Sequence, residues 1–191
     1  MVKLNIPISE EEIRKLKVGD EVMLSGVIVT ARDAAHKLMI EEKPEFIREY
    51  LKESVIYHCG PVVKQSDEGE WSFVSAGPTT SIREEPYQAD VICEYSVRGV
   101  IGKGGMSDKT AEGLKRCGAV YFHAVGGAGT LIANSVKKVI KVFKLEEFGT
   151  PEAFWVIDVK DFPVVVTMDS HGNSIHKDVL AESKRIMQKI L

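Results

Sequence analysis

Apolar and polar residues alternate along this chain in two periods. Ile13 and Leu16 follow Ser9 and Glu12, a capping-box pair that opens a short helix, and Gly19 stops it. Residues 22–29 are rich in Val, Ile and Leu around Gly26, which predicts a strand with a bend. Residues 32–42 and 44–52 read as helices, the second with Pro44 in its first turn. Short strands follow at 55–58 and 71–76, with the turn Asp67-Glu68-Gly69 between them. Residues 86–97 read as a helix that ends near Gly99, and Ser107 caps another that runs through Arg116 to Gly118. The unbroken apolar run at 119–125 is a buried-type strand. A short helix and the segment 136–145 come next, then strands at 154–159 and 164–168 and a final helix at 175–190. Short strands mixed with helices predict an α/β domain.

Composition narrows the picture. The chain has 191 residues, 44% hydrophobic and 28% charged, which suits one globular domain over 1–191 and excludes wholesale disorder. Its net charge is −3, so a general nucleic-acid binder is not expected. No window approaches the ~18 apolar residues of a membrane span, and residues 1–12 lack the apolar core of a signal peptide. Three cysteines, Cys59, Cys93 and Cys117, form no Cys-x-x-Cys, and an odd number cannot pair fully. A cytoplasmic location is the expectation.

Four segments carry candidate chemistry. In Thr30-Ala31-Arg32-Asp33-Ala34-Ala35-His36-Lys37, a helix capped by Thr30 puts Arg32 in its first turn. A cation there opposes the helix dipole, so either a bound anion or simple surface exposure accounts for it. Gly77-Pro78-Thr79-Thr80-Ser81-Ile82-Arg83 places hydroxyls and a carboxylate-matching guanidinium beside a tight turn. Gly102-Lys103-Gly104-Gly105-Met106 is not a Walker loop, because Gly104 follows Lys103 where Ser or Thr is required. Its backbone N–H groups and one ammonium can still converge on an anion. Gly126-Gly127-Ala128-Gly129 fails the dinucleotide fingerprint and reads as close strand-to-helix packing. The five histidines show no zinc spacing, and His58 and His123 read as core histidines in apolar strands. Cys93, in an apolar helical run, reads as a small buried hydrophobe rather than a cluster ligand.

Taken in series, these motifs resemble the β subunit of class I iron–sulfur fumarases and L-tartrate dehydratases, and equally the C-terminal domain of their single-chain relatives. Pro151-Glu152-Ala153-x-Trp155, and Phe162-Pro163 through Asp169-Ser170-x-Gly172-Asn173, extend the match over nearly the whole chain. One departure is Glu84-Glu85, where members often carry Met-Asp after the arginine. The resemblance implies a swivelling β/β/α domain with a mixed sheet and flanking helices. It also implies a [4Fe–4S] cluster held by a partner α subunit rather than by this chain, possibly in an α2β2 heteromer. Thr79 and Lys103 would be catalytic, with Arg32 and Arg83 binding substrate.

The implied reaction is the interconversion of fumarate and L-malate, a step of the tricarboxylic acid cycle, with L-tartrate dehydration as the alternative. Three cations suit a dicarboxylate and the charge that builds beside C3. Thr79 is either the base or a hydrogen-bond donor. A non-catalytic anion-binding module of the same fold need not keep Thr79, Arg83 and Lys103 together. Alone, the chain is expected to fold without activity, and it could then pair with a second copy.

Overall fold

A computed structural model describes residues 1–190. The elements run β1 (Val2–Asn5), α1 (Glu10–Ile13), β2 (Glu21–Thr30), α2 (Asp33–Glu41), α3 (Arg48–Leu51), β3 (Val55–Tyr57), β4 (Val62–Gln65) and β5 (Trp71–Ser75). They continue with α4 (Glu85–Tyr95), β6 (Gly99–Gly102), α5 (Asp108–Cys117), β7 (Val120–His123) and α6 (Gly129–Ala133). The last are β8 (Val136–Phe143), α7 (Leu145–Phe148), β9 (Phe154–Met168) and α8 (Ile175–Ile190). Single 3₁₀ turns at Glu45–Ile47 and Ser81–Glu84 lead into α3 and α4.

Strands β2, β3, β6 and β7 lie side by side and parallel, with β1 parallel to the outer edge of β2. The long β9 is antiparallel to β7 and β8 and also pairs with β2 along its length, so the mixed sheet closes on itself. Period-2 alternation divides the strand residues between two cores. Tyr57, Ile101, Phe122, Trp155 and Ile157 face one apolar cluster. Ile56, Val100, Tyr121, Phe154 and Val156 face the other, beneath α2, α3, α4 and α5. Strands β3, β6 and β7 are buried on both faces, which is why 55–58 and 119–125 read as continuous apolar runs.

Several local expectations hold. Ser9 and Glu12 form the reciprocal capping box, Gly118 ends α5 in the left-handed conformation, and α8 has the bounds that its pattern predicts. Gly26 sits at φ 118° where the β2–β9 register shifts, and a Cβ there would lie 2.7 Å from the Ile6 carbonyl oxygen. Other expectations are corrected. Residues 154–159 and 164–168 belong to one strand, β9, which accommodates Pro163 beyond an irregularity at Asp161, φ 51°. Pro44 precedes a 3₁₀ turn instead of entering an α-helix. Strand β1, unrecognised in a mixed polar segment, is fixed by its pairing with β2.

The cysteine reading also changes. Cys93 on α4 and Cys117 on α5 are half-buried and joined as a disulfide, so Cys93 is not a packed apolar residue. Cys59 is a buried thiol, pushed up to about 12 by desolvation. No helix among the described residues is long and apolar enough to cross a membrane.

Candidate active site

The parallel strands β2, β3, β6 and β7 all end at one edge of the sheet, the edge where open α/β sheets place their ligands. Arg32 follows β2, His58 follows β3, Lys103 follows β6 and Gly126-Gly127 follows β7. The segment 78–81 is laid between two of these strand ends. Pro78 bridges Cys59 on one side and Thr80 bridges Lys103 on the other. Thr79 N–H donates to the His58 carbonyl at 2.7 Å, Lys103 N–H donates to the Thr79 carbonyl at 3.3 Å, and Ser81 N–H donates to the Lys103 carbonyl at 3.0 Å. The threonine turn and the glycine loop are therefore hydrogen-bonded neighbours, although α4 and β6 lie between them in sequence.

Glycines make this apposition sterically possible. A Cβ at Gly102 would overlap Ser81 Oγ, and one at Gly60 would lie 2.7 Å from Arg32 Nη1. Gly104 and Gly105 hold φ of 82° and 75°, which turn the chain sharply after Lys103. Gly129 packs against Ser75 and Gly77, so the 126–129 loop abuts the end of β5 and the threonine turn. Gly129 opens α6 and Ser75 closes β5, so this is the close strand-to-helix packing that the sequence predicts.

Arg32 departs from its sequence reading. Thr30 ends β2 and does not cap α2; its Oγ1 accepts from Trp155 N–H at 3.3 Å. Arg32 itself is the N-cap residue, in extended conformation. The anion at the α2 N-terminus is Glu152, which accepts from Ala34 N–H at 3.0 Å and pairs with Arg32 at 3.3 Å. Arg83, with its side chain 55% exposed, pairs with Asp33. Lys103 is half-buried and has no ion pair among the described residues.

Sequence reasoning gave Asp33 and Glu152 no role, although both stand inside quoted motifs. It also missed Gln88, His36 and Ser81, which fill the space beneath the site. Burial drives His36 down to about 4 and His58 to about 3, so both rings are neutral. Glu85 has a structural task. Its carboxylate accepts from Ser107 N–H at 2.8 Å and Thr110 N–H at 3.1 Å, capping α5 in place of the expected Ser107 side chain.

A cleft of about 1010 Å³ between the glycine loop and α8 is lined by Gly104, Gly105, Ile82 and residues of α8. Arg32, Thr79, Arg83 and Lys103 do not line it; they lie along the sheet edge beside it. No group of three or more His, Cys, Asp or Glu side chains among the described residues can hold a metal ion. The three cysteines do not fit a cluster: two are joined to each other and the third is sealed in the core.

A mixed, closed sheet with cations and hydroxyls gathered at its parallel-strand edge defines an α/β domain. The model of the family described as fumarase C-terminus matches residues 1–179. A protein of Geobacillus stearothermophilus named fumarate hydratase class I is 50% identical over 179 residues, 94% of this chain and 34% of that protein. The chain thus spans about a third of that relative's length. A protein of Methanocaldococcus jannaschii named L(+)-tartrate dehydratase subunit beta is 42% identical, over 96% of this chain and 93% of its own. The Escherichia coli K12 protein of that name is 37% identical, over 96% and 88%. The chain belongs to the fumarase C-terminus family.

Proposed function

We propose that this chain, as one swivelling domain over 1–191, is the β subunit of an iron–sulfur hydro-lyase that interconverts fumarate and L-malate. The observation that carries the reading is the hydrogen-bonded apposition of Thr79 with Lys103 at an edge flanked by Arg32 and Arg83. Its support comes also from a relative named fumarate hydratase class I. Relatives named as tartrate dehydratase β subunits support tartrate as the second substrate reading.

In this reading the dicarboxylate lies along the open edge. Arg83 exchanges Asp33 for one carboxylate; an exposed ion pair is worth only ~0–1 kcal/mol, so the exchange is cheap. Arg32, fixed by Glu152, presents its guanidinium to the other. Lys103 brings positive charge to the negative charge that develops beside C3, and the Thr79 hydroxyl handles the C3 proton. A free threonine hydroxyl is a weak base and needs help from a neighbouring group; in this reading Lys103, or a carboxylate of the α subunit, supplies it.

The [4Fe–4S] cluster implied by the resemblance finds no ligand set in these cysteines, and no step is assigned to it. It belongs in this reading to an α subunit that closes over the edge, in the cytoplasm. The test is to combine this chain with its cluster-bearing α subunit and to measure turnover of malate, fumarate and tartrate. Turnover of none of the three by an assembled, cluster-loaded pair would overturn the reading.

A further inference from the structure

Beneath the candidate site, a continuous string of polar groups crosses the apolar core. His36 Nδ1 lies 2.9 Å from the Arg32 carbonyl oxygen, and His36 Nε2 lies 3.0 Å from the Gln88 carboxamide. His58 Nε2 lies 2.6 Å from the same carboxamide, and His58 Nδ1 lies 2.9 Å from Ser81 Oγ. Ser81 Oγ lies 2.8 Å from Tyr121 OH, which the Gly105 backbone amide also reaches. His36, His58, Ser81, Gln88 and Tyr121 are all fully buried, with 0% exposure.

Proton counting fixes the polarity of this string. A buried neutral imidazole has one N–H. The Arg32 carbonyl can only accept, so His36 carries its hydrogen on Nδ1 and presents a lone pair at Nε2. A carboxamide oxygen facing that lone pair would oppose two acceptors, and it would leave the Gln88 nitrogen buried without a partner. Carboxamide oxygen and nitrogen occupy interchangeable outlines. With the NH2 group toward the rings, its two hydrogens serve the two Nε2 atoms. His58 then carries its hydrogen on Nδ1 and donates to Ser81, whose hydroxyl is paired in turn with Tyr121 OH.

We propose that Gln88 is a positioning residue whose amide donates to both His36 and His58 and locks both as neutral Nδ1–H tautomers. Through them it sets the register of Arg32, the threonine turn and the glycine loop. The first link is His36 to the Arg32 backbone. The second is His58, whose carbonyl accepts from Thr79 N–H and whose ring donates to Ser81. The third is Ser81, whose N–H donates to the Lys103 carbonyl. The catalytic part of this inference rests on the hydro-lyase reading; the tautomer assignment does not.

The test has two arms. Long-range ¹H–¹⁵N correlation spectra of the full chain at pH 7 read the histidine tautomers directly. The expected pattern is a protonated Nδ1 and a bare Nε2 on both His36 and His58. An Nε2–H tautomer or an imidazolium at either ring overturns the assignment, whatever the enzyme does. Gln88→Glu replaces the double donor with an acceptor, and it should move at least one ring out of the Nδ1–H form. In the assembled pair, Gln88→Glu and Gln88→Met should lower kcat by tenfold or more. Full kcat in a Gln88→Glu variant whose tautomers have changed would overturn the positioning role. An inactive wild-type pair with the expected tautomers would instead overturn the hydro-lyase reading and support the hydrogen-bond assignment alone.

Discussion

The fully buried carboxyl of Glu84 lies against the carboxyl of Asp33, and neither of its oxygens has a hydrogen-bond partner among the described residues. One proton between them gives partners to oxygens of both side chains that otherwise have none. Desolvation, with the Asp33 charge added, raises Glu84 to about 8, while bonds from Glu84 and Arg83 hold Asp33 below the usual carboxylate range. Glu84 therefore retains its proton at neutral pH and leaves Asp33 ionised for Arg83.

The pH dependence follows from proton counting. Between an unfolded value of about 4.5 and the folded value of about 8, the folded state binds the Glu84 proton and the unfolded state does not. Stability contributed by this group falls as pH rises through that window. Glu84→Gln keeps a donor for Asp33 and removes the ionisation. It should raise the melting temperature at pH 8.5 by several degrees more than at pH 5, since ~1 kcal/mol corresponds to about 2–4 °C for a chain of this size. Equal shifts at both pH values in thermal denaturation would show that Glu84 does not hold the proton.

Lys103 has no ion pair among the described residues and sits in a glycine turn. Lys103→Ala in the assembled enzyme should leave the fold intact and lower kcat/KM by on the order of 10² or more, the loss of a charge-stabilising donor. Circular dichroism and steady-state kinetics on one preparation check both halves; turnover near wild type removes Lys103 from the chemistry.

Thr79 is held by its backbone at both ends of the turn, so side-chain changes leave its placement untouched. Thr79→Ala should abolish dehydration, and Thr79→Ser should retain part of it because the oxygen remains. A Thr79→Ala enzyme with full kcat would exclude the hydroxyl from proton handling.

Arg32→Lys should raise KM for the dicarboxylate more than it lowers kcat, because an ammonium cannot hold Glu152 and a substrate carboxylate with one planar fork. The variant should also lose some stability where Arg32 fills the space beside Gly60. Michaelis–Menten measurement decides the first claim, and an unchanged KM would count against substrate contact.

The sequence made the parallel-strand core legible because β3, β6 and β7 are buried on both faces, so 55–58 and 119–125 stand out as apolar runs. The capping box at Ser9 and Glu12 and the amphipathic α8 were legible for the same local reason. The cations of the candidate site, Arg32, Arg83 and Lys103, were legible through their motifs. Their partners were not. Glu152 reaches Arg32 across more than a hundred residues, and Gln88 lies in an ordinary helical stretch whose polarity has meaning only once His36 and His58 are folded against it. The disulfide was hidden likewise, since no local pattern states that the ends of α4 and α5 meet.

That disulfide supplies the last prediction. Cys93 and Cys117 are 24 residues apart in sequence and join the C-terminal ends of two packed helices. Closing a loop of that size in the unfolded chain is worth ~3 kcal/mol in the chain-entropy account. The Arg116 guanidinium lies 3.4 Å from the Cys93 sulfur, where it would stabilise a thiolate and assist formation of the bond from the reduced pair. Neither helix end belongs to the candidate site, so the bond bears on stability rather than on substrate binding. A non-reducing digest of protein oxidised in vitro should yield a Cys93–Cys117 peptide, with Cys59 left as a thiol. Reduction, or Cys93→Ser, should lower the melting temperature by about 5–10 °C. Full oxidation with no change in melting temperature would mean that the two helices are held as firmly by their packing alone.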